Sequence, residues 1–382
     1  MGMNAQYNII IAGAGGIAQA VGLILAQRST VSPKLFIGNR TLSKAQKAAD
    51  WIKDGSTKAC NIQAFHLSEK EISDEMRYIF SQGDIILDCL PGSQAPRIAQ
   101  FAKEFNCHYA NLTEHVEETN QIMELAKDAS TGFVLQSGIA PGYIDVLGIY
   151  LFQQFCKKYN VDKVDSLELK VGALTEHAIS PHYYGFTWSP VGVATEYLED
   201  TVVIREFKKT ILPALSARST ILIDGFAFEQ DLTSGGAADL PGALAGKVRN
   251  LDYKTLRYPG HYAWVQKQIE ELKNSANNIQ ALQQKMEATI PHIENDQIIL
   301  YAAVQGMDNN GILRRKEHVA RILQQRVGKH KLRAIQATTA APLIQAAQLL
   351  LETNPKGVLL QSQLDASKFL EGNFIVPIYG YV

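Results

Sequence analysis

The chain has almost no charge of one sign to spare. Its 37 Lys and Arg stand against 38 Asp and Glu, a formal net charge of -1. No global field therefore draws it to nucleic acid or to an anionic membrane. Cysteine is scarce: Cys60, Cys89, Cys107 and Cys156 form no C-x-x-C pair and have no metal-ligand spacing. They are expected to be reduced and mostly buried, which excludes a disulfide framework and fits a cytosolic protein. Long apolar runs are also missing, and none reaches the roughly 18 residues of a membrane span. Residues 1–7 lead straight into an apolar strand without a basic region or cleavage site, and Gln6 stands where a myristoylation signal needs Ser or Thr. A cytoplasmic location is expected.

What is present is enough apolar sequence for more than one core: 382 residues, 46% hydrophobic. At about 150 residues per domain this suggests two. Across 7–136, strand patterns at 7–12, 34–38, 63–66, 84–90, 108–112 and 133–136 alternate with helical patterns at 17–28, 41–53 and 116–128. Thr41 is expected to cap the second helix, and Ser93 the helix after Pro91-Gly92. Such alternation belongs to βαβ units. The expected fold class is therefore α/β, a Rossmann doubly wound parallel sheet with ligands beyond the carboxyl ends of its strands.

After Pro141 the pattern changes. Leu167, Leu169 and Val171 alternate with Glu168 and Lys170, the mark of a strand with one wet face. Another strand is expected at 298–304, and Asn309-Asn310-Gly311 signals a hairpin into a strand at 312–319. These elements read as a second, α+β domain. The expected division is 1–145 for cofactor binding and 146–334 for substrate and dimerisation, with 335–382, including a helix at 338–351, packing back on the first domain. Residues 314–333 hold eight Lys or Arg against Glu317 alone. Without interleaved aromatics, this is read as a solvated hairpin and helix face, not a nucleic-acid patch.

The sharpest motif is Gly13-Ala14-Gly15-Gly16-Ile17-Ala18, a G-x-G-x-x-A run between the first strand and first helix. Gly13 makes the tight turn, Gly15 lets backbone approach a pyrophosphate, and small Ala18 lets helix pack on sheet. Ala14, Gly16 and Ile17 complete the loop and open the helix, whose unpaired N–H groups favour phosphate. The second strand ends at Asn39-Arg40-Thr41. An NAD enzyme usually carries an acid there to accept from the ribose 2′-OH. Asn39 has no charge to repel a 2′-phosphate, Arg40 can pair with it through a planar fork, and Thr41 can add a hydroxyl and an N–H. NADP is expected over NAD, the alternative being a capping Thr beside a solvent-facing Arg. Leu90-Pro91, at the end of the fourth strand, are expected to wall the cofactor site.

To this loop the sequence adds Ser137-Gly138-Ile139-Ala140-Pro141-Gly142, Lys170-Val171-Gly172-Ala173-Leu174, Lys254-Thr255-Leu256-Arg257-Tyr258-Pro259-Gly260-His261 and Gly357-Val358. On these residues the chain resembles the saccharopine dehydrogenase family over nearly its whole length. It is most similar to the branch of saccharopine reductases and lysine 6-dehydrogenases. The resemblance implies an oxidoreductase that uses NAD(P) to oxidise a C–N bond of an amino acid, or to reduce the corresponding imine. Three positions depart from the family pattern: Asn111 where Asp is common, Ala173 for a second Gly, and Ala340 where Gly is frequent.

Several side chains are candidates for the chemistry. Arg257 could clamp a substrate carboxylate in two-pronged fashion, or anchor its own turn through an ion pair. His261 could move a proton or simply pack. Glu114 could meet a substrate ammonium, or stand in the first turn of a helix. Glu114 and His261 are thus the catalytic candidates, and Tyr143, Trp188 and Arg257 the substrate-binding ones. His177 and His182, separated by Pro181, lack zinc spacing, so no metal is expected. Two other readings compete. One is a non-catalytic NADP(H)-binding regulatory or scaffold protein of the same fold. The other is a carbonyl reductase, for which the first domain lacks the Tyr-x-x-x-Lys spacing. A homodimer is expected.

Overall fold

The computed structural model describes residues 6–113, 116–272 and 277–382, so Glu114 lies outside the described residues. The chain divides into two compact units, one of 1–143, 325–332 and 336–382, the other of 144–324 and 333–335.

The first unit runs β1 (Asn8–Ala12), α1 (Gly16–Arg28), β2 (Lys34–Asn39), α2 (Leu42–Gly55), β3 (Asn61–His66), α3 (Asp74–Gln82), β4 (Ile85–Asp88), α4 (Ala95–Glu104), β5 (His108–Asn111), α5 (Val116–Leu125) and β6 (Gly132–Val134). A seventh strand, Gly357–Leu359, returns from far along the chain to pair with β6. All pairings are parallel, in the order Gly357–Leu359, β6, β5, β4, β1, β2, β3. The Rossmann reading therefore stands, and the strand order reverses between β1 and β4, where a crevice opens. Ile9, Ile10 and Ile11 are all fully buried, as are Ile85, Ile86 and Leu87. Their contiguous apolar runs reflect a sheet covered on both faces. Helix α1 lies close on α2 because Gly22 has no Cβ, which would come within 2.4 Å of the Ile52 side chain.

One expected cap is misplaced, and the other holds its position without a side-chain bond. Gly92–Gln94 forms a short 3-10 turn, so Gln94, not Ser93, precedes α4, and no side chain caps it. Thr41 occupies the cap position of α2 without a side-chain bond. Instead its own N–H donates to Asn39 Oδ1 at 3.0 Å.

In the second unit, α6 (Tyr143–Tyr159) leads from Ile144 onward to β7 (Val164–Thr175), α7 (Pro190–Leu198), β8 (Thr201–Arg205), β9 (Lys208–Leu212), β10 (Ser219–Ile223) and β11 (Phe226–Leu232). There follow α8 (Leu240–Ala243), β12 (Val248–Arg257), α9 (His261–Glu271), α10 (Asn278–Glu287), β13 (Asp296–Met307) and β14 (Leu313–Leu323). The sheet order is β10, β11, β12, β7, β13, β14, with the β8–β9 hairpin branching from β12. Only β12 and β7 pair in parallel, so the sheet is mixed. The wet face expected on β7 is not there at Lys170, which is buried. Its ammonium donates to Glu168 at 2.5 Å and lies over the Tyr301 ring, so pairing keeps the charge inside. The hairpin expected at Asn309-Asn310-Gly311 forms, with Asp308 Oδ1 accepting the N–H groups of Asn310 and Ile312.

The basic run proves to be β14 and a separate hairpin of Gln325–Val327 with His330–Leu332, not a helix face. That hairpin belongs to the first unit, although 146–334 was the expected extent of the second. The His330 ring stacks on Trp51 at 4.2 Å, and the Lys329 N–H donates to the Gly55 carbonyl at 2.7 Å. Among the described residues no helix is long and apolar enough to cross a membrane.

Candidate functional site

The cofactor loop starts where β1 ends. Gly13 has φ of +120°, a conformation costly for any residue with a Cβ, and its N–H donates to the Gly38 carbonyl at 2.8 Å. A Cβ there would also meet the Cys89 carbonyl at 3.0 Å. Ala14 is half-buried, Gly15 is exposed, and Gly16 and Ile17 begin α1. A Cβ on Gly15 would have nothing within 4 Å. No side chain caps α1, and its first turn holds no acid. The helix therefore presents N–H donors and a partial positive charge to open space, a cradle that fits a pyrophosphate.

Beyond the ends of β2 and β4 lies a groove of about 370 Å³, lined by Asn39, Arg40, Lys44, Leu67, Glu69, Leu90, Pro91, Ser93, Gln94 and Arg97. Four residues expected at the cofactor, Asn39, Arg40, Leu90 and Pro91, come together here. Thr41 does not, and its N–H is already taken by Asn39. Arg40 is not waiting unpaired: its Nη1 lies 3.0 Å from Glu69 Oε1, with both side chains more than half exposed. Sequence reasoning missed Lys44, Glu69 and Arg97. Arg97 is held by donation to the Ser68 carbonyl and by stacking over Phe101 at 4.9 Å. The available signal was its place in the first turns of the helix after Pro91-Gly92.

At the foot of the crevice Asp88 is buried, accepting from Leu90 N–H at 3.0 Å and from Tyr109 O–H at 2.8 Å. Burial raises its pKa to about 7, against the lowering effect of those two bonds. Asn111, its neighbour across β4 and β5, is buried as well, and its Oδ1 accepts the Gln136 N–H at 2.9 Å. A neutral side chain here spares Asp88 a second buried carboxylate. The departure from the family pattern at Asn111 thus has a local role in holding the segment after β6. That segment turns tightly: Gly142 has φ of +133°, and a Cβ on it would meet Gly138 backbone at 2.2 Å.

Tyr143, expected to wall the substrate pocket, is fully buried and stacked on Tyr379 at 3.6 Å. It packs instead. Trp188 is half-buried against a core of Tyr184, Phe186, Tyr197 and Tyr262.

In the second unit, Arg257 lies at the end of β12, only 1% exposed. Its Nε donates to Tyr197 Oη and its Nη2 to Glu196 Oε1, both at 2.6 Å, and Nη1 donates to the Leu256 carbonyl. The Tyr184 ring stacks on it at 4.7 Å. Of the two readings open for Arg257, clamp or anchor, these bonds fit the internal anchor.

His261 is wholly buried in the same network. Its Nδ1 faces the His182 carbonyl at 2.6 Å, which can only accept, so Nδ1 carries the hydrogen. Nε2 is then the acceptor for Tyr197 O–H at 3.0 Å. Burial, with the Arg257 charge beside it, lowers the pKa to about 3. With both nitrogens engaged, His261 fits the packing reading of the two that the sequence leaves open.

The parallel sheet, its glycine loop and the bare helix end define a Rossmann protein of the nicotinamide-binding dehydrogenase class. Residues 9–135 match the saccharopine dehydrogenase NADP binding domain, and residues 138–372 the saccharopine dehydrogenase C-terminal domain. The chain belongs to the saccharopine dehydrogenase family. It is 25% identical over 203 residues to the alpha-aminoadipic semialdehyde synthase of Arabidopsis thaliana, a match covering 50% of this chain and only 19% of that protein. Among solved structures, saccharopine dehydrogenase (L-Glu forming) of Saccharomyces cerevisiae shares the fold with a TM-score of 0.78 at 16% identity, over 98% of both chains. A homospermidine synthase of Legionella pneumophila, in complex with NAD, gives 0.66 at 12% identity over 99% of this chain and 91% of that one.

Proposed function

We propose that this protein is an NADP-dependent oxidoreductase acting on the C–N bond of an amino acid, of saccharopine reductase or lysine 6-dehydrogenase type. The observation that carries the reading is the open cradle at Gly15 in a chain matched to the family from residue 9 to residue 372. Gly13, Gly15 and the start of α1 would hold the pyrophosphate, Leu90 and Pro91 would wall the dinucleotide, and Arg40 would meet the 2′-phosphate. When bound, the nicotinamide supplies or takes up the hydride. The internal bonds of Arg257 and His261 in the second unit support giving recognition of the substrate carboxylate and proton transfer to other residues. Glu114, outside the described residues, stays a candidate for the substrate nitrogen.

Turnover is the test. NADPH should be consumed when an amino-acid semialdehyde is offered with an amine or amino acid able to form an imine. In reverse, NADP should be reduced with saccharopine or lysine at alkaline pH, where the amine is neutral. Saccharopine as donor would place the enzyme with the reductases, free lysine with the 6-dehydrogenases. The burial of Arg257 and His261 favours a second reading, a non-catalytic NADP(H)-binding protein of the same fold. Tight NADPH binding without turnover across that panel would select it. A homodimer is part of the leading proposal, and light scattering that gives the mass of one chain would remove it.

A further inference from the structure

The groove beyond β2 and β4 holds three cations, Arg40, Lys44 and Arg97, and one anion, Glu69. Glu69 pairs with Arg40 at 3.0 Å, and its field also reaches Arg97, partly offsetting the lowering of that guanidinium's pKa by burial. Lys44 makes no ion pair with any described residue. Glu69 comes from the loop after β3, not from the end of β2, where the acid that selects NAD usually stands. The groove therefore contains both an acceptor suited to a ribose 2′-OH and cations suited to a 2′-phosphate.

We infer that Glu69 sets the balance between the two nicotinamide cofactors by acting as an internal stand-in for the 2′-phosphate. This rests on the proposal above that the groove receives the adenosine end of the dinucleotide. With NADH bound, Glu69 keeps its pair with Arg40 and accepts from the 2′-OH. With NADPH bound, the phosphate brings a larger negative charge and two oxygens that match the planar guanidinium of Arg40, so Glu69 is turned out toward solvent. The exchange is easy because the Arg40–Glu69 pair is exposed, and exposed pairs contribute little. Lys44 and Arg97 stay on the phosphate side throughout. The protein is thus an NADP binder that retains a working site for NAD, and Glu69 sets the margin.

The test is titration of the full chain with NADPH and with NADH, for wild type and for Glu69→Gln, Arg40→Ala and the double variant. Glu69→Gln keeps size and hydrogen bonding but removes the charge. It should tighten NADPH about threefold, by freeing Arg40, and weaken NADH about tenfold, by loss of a charged acceptor. In the Arg40→Ala background the gain for NADPH should shrink to less than half, because the freed partner is gone. Equal shifts for both cofactors, or none, would overturn the role of Glu69 while leaving cofactor binding intact. Failure of wild type to bind either cofactor would overturn the cofactor reading and this inference together. Unchanged melting temperatures of the unliganded variants would keep folding out of the comparison.

Discussion

Arg40 with Glu69 and Arg257 with Glu196 are the same chemical pair, at 3.0 and 2.6 Å, in the two units of one chain. In the first unit the side chains are 68% and 52% exposed; in the second they are 1% and 13% exposed. Water screens the first pair, which holds little energy and exchanges readily with a ligand. The second pair has given up its hydration, so its charges are held by each other and by Tyr197, and removing either one costs the other its buried counter-charge. An Arg–Glu contact in a list of distances therefore says nothing of its role. Exposure decides whether it is available for recognition or fixed as framework.

The sharpest way to break this comparison is Arg257→Ala. It removes the buried cation that faces Glu196 and Tyr197 and should destabilise the second unit by about 3–5 kcal/mol, read as a drop in the urea midpoint. A loss below about 1 kcal/mol would mean that Arg257 is no anchor. Next comes Gly15→Val. The space beside Gly15 is open, so melting temperature should hold while NADPH affinity falls about a hundredfold, because the side chain keeps the charged pyrophosphate from the N–H donors. A variant that melts early but still binds would show that Gly15 serves the fold instead of the ligand.

Acidity separates the units by sign. The folded pKa of His261 is depressed from 6.5 to about 3, so its contribution is full above pH 6.5 and is lost as pH falls toward 3. The slope should be about 1.4 kcal/mol per pH unit. Asp88 is the reverse: its pKa rises from 3.8 to about 7, so its contribution is full below 3.8 and is lost as pH climbs through 7. Between pH 6.5 and 5, acidification should weaken the second unit and strengthen the first, followed by hydrogen exchange in each. His261→Gln should flatten the first trend and Asp88→Asn the second. Parallel slopes in both units would contradict these environments.

The smallest stability effect belongs to Arg40→Ala, within about 0.5 kcal/mol. Yet its preference for NADPH over NADH should fall about tenfold, with NADH nearly untouched. A large loss of stability would move Arg40 to the framework class with Arg257.

The parts of the molecule legible in the sequence are those governed by local pattern. The glycine loop, the buried runs of β1 and β4 and the turn at Asn309-Asn310-Gly311 each follow from spacing alone. Sequence reasoning passed over α3, although Ser73 caps it by accepting from the Met76 N–H, and Asp74 and Glu75 stand in its first turn. It also passed over β8 to β11. There Asp224-Gly225, with φ of +50° and +79°, carries a strong hairpin signal, whereas Glu206-Phe207 reaches positive φ with residues that give no warning. The partner of Arg40 is not legible because Glu69 is supplied by another strand's loop. The burial of Lys170 is not legible either, because alternation cannot show that Glu168 supplies a counter-charge. Burial of Arg257 and His261 depends on Tyr197 and His182, more than fifty positions away, and no local pattern reports that.

The strand Gly357–Leu359 closes the edge of the first sheet, and beside it Gln361 donates to the Leu135 carbonyl at 2.6 Å across 226 positions of sequence. A ribosome making this chain from its amino end releases β1 to β6 long before their last partner exists. Through that interval β6 presents an unpaired edge, the kind of surface that invites association with other nascent chains. The second unit, being nearly continuous in sequence, is free to form in the meantime. Closing the remaining gap then costs only a slowly growing loop entropy. The cofactor unit begins first and is finished last, so its assembly is timed by the length of what lies between.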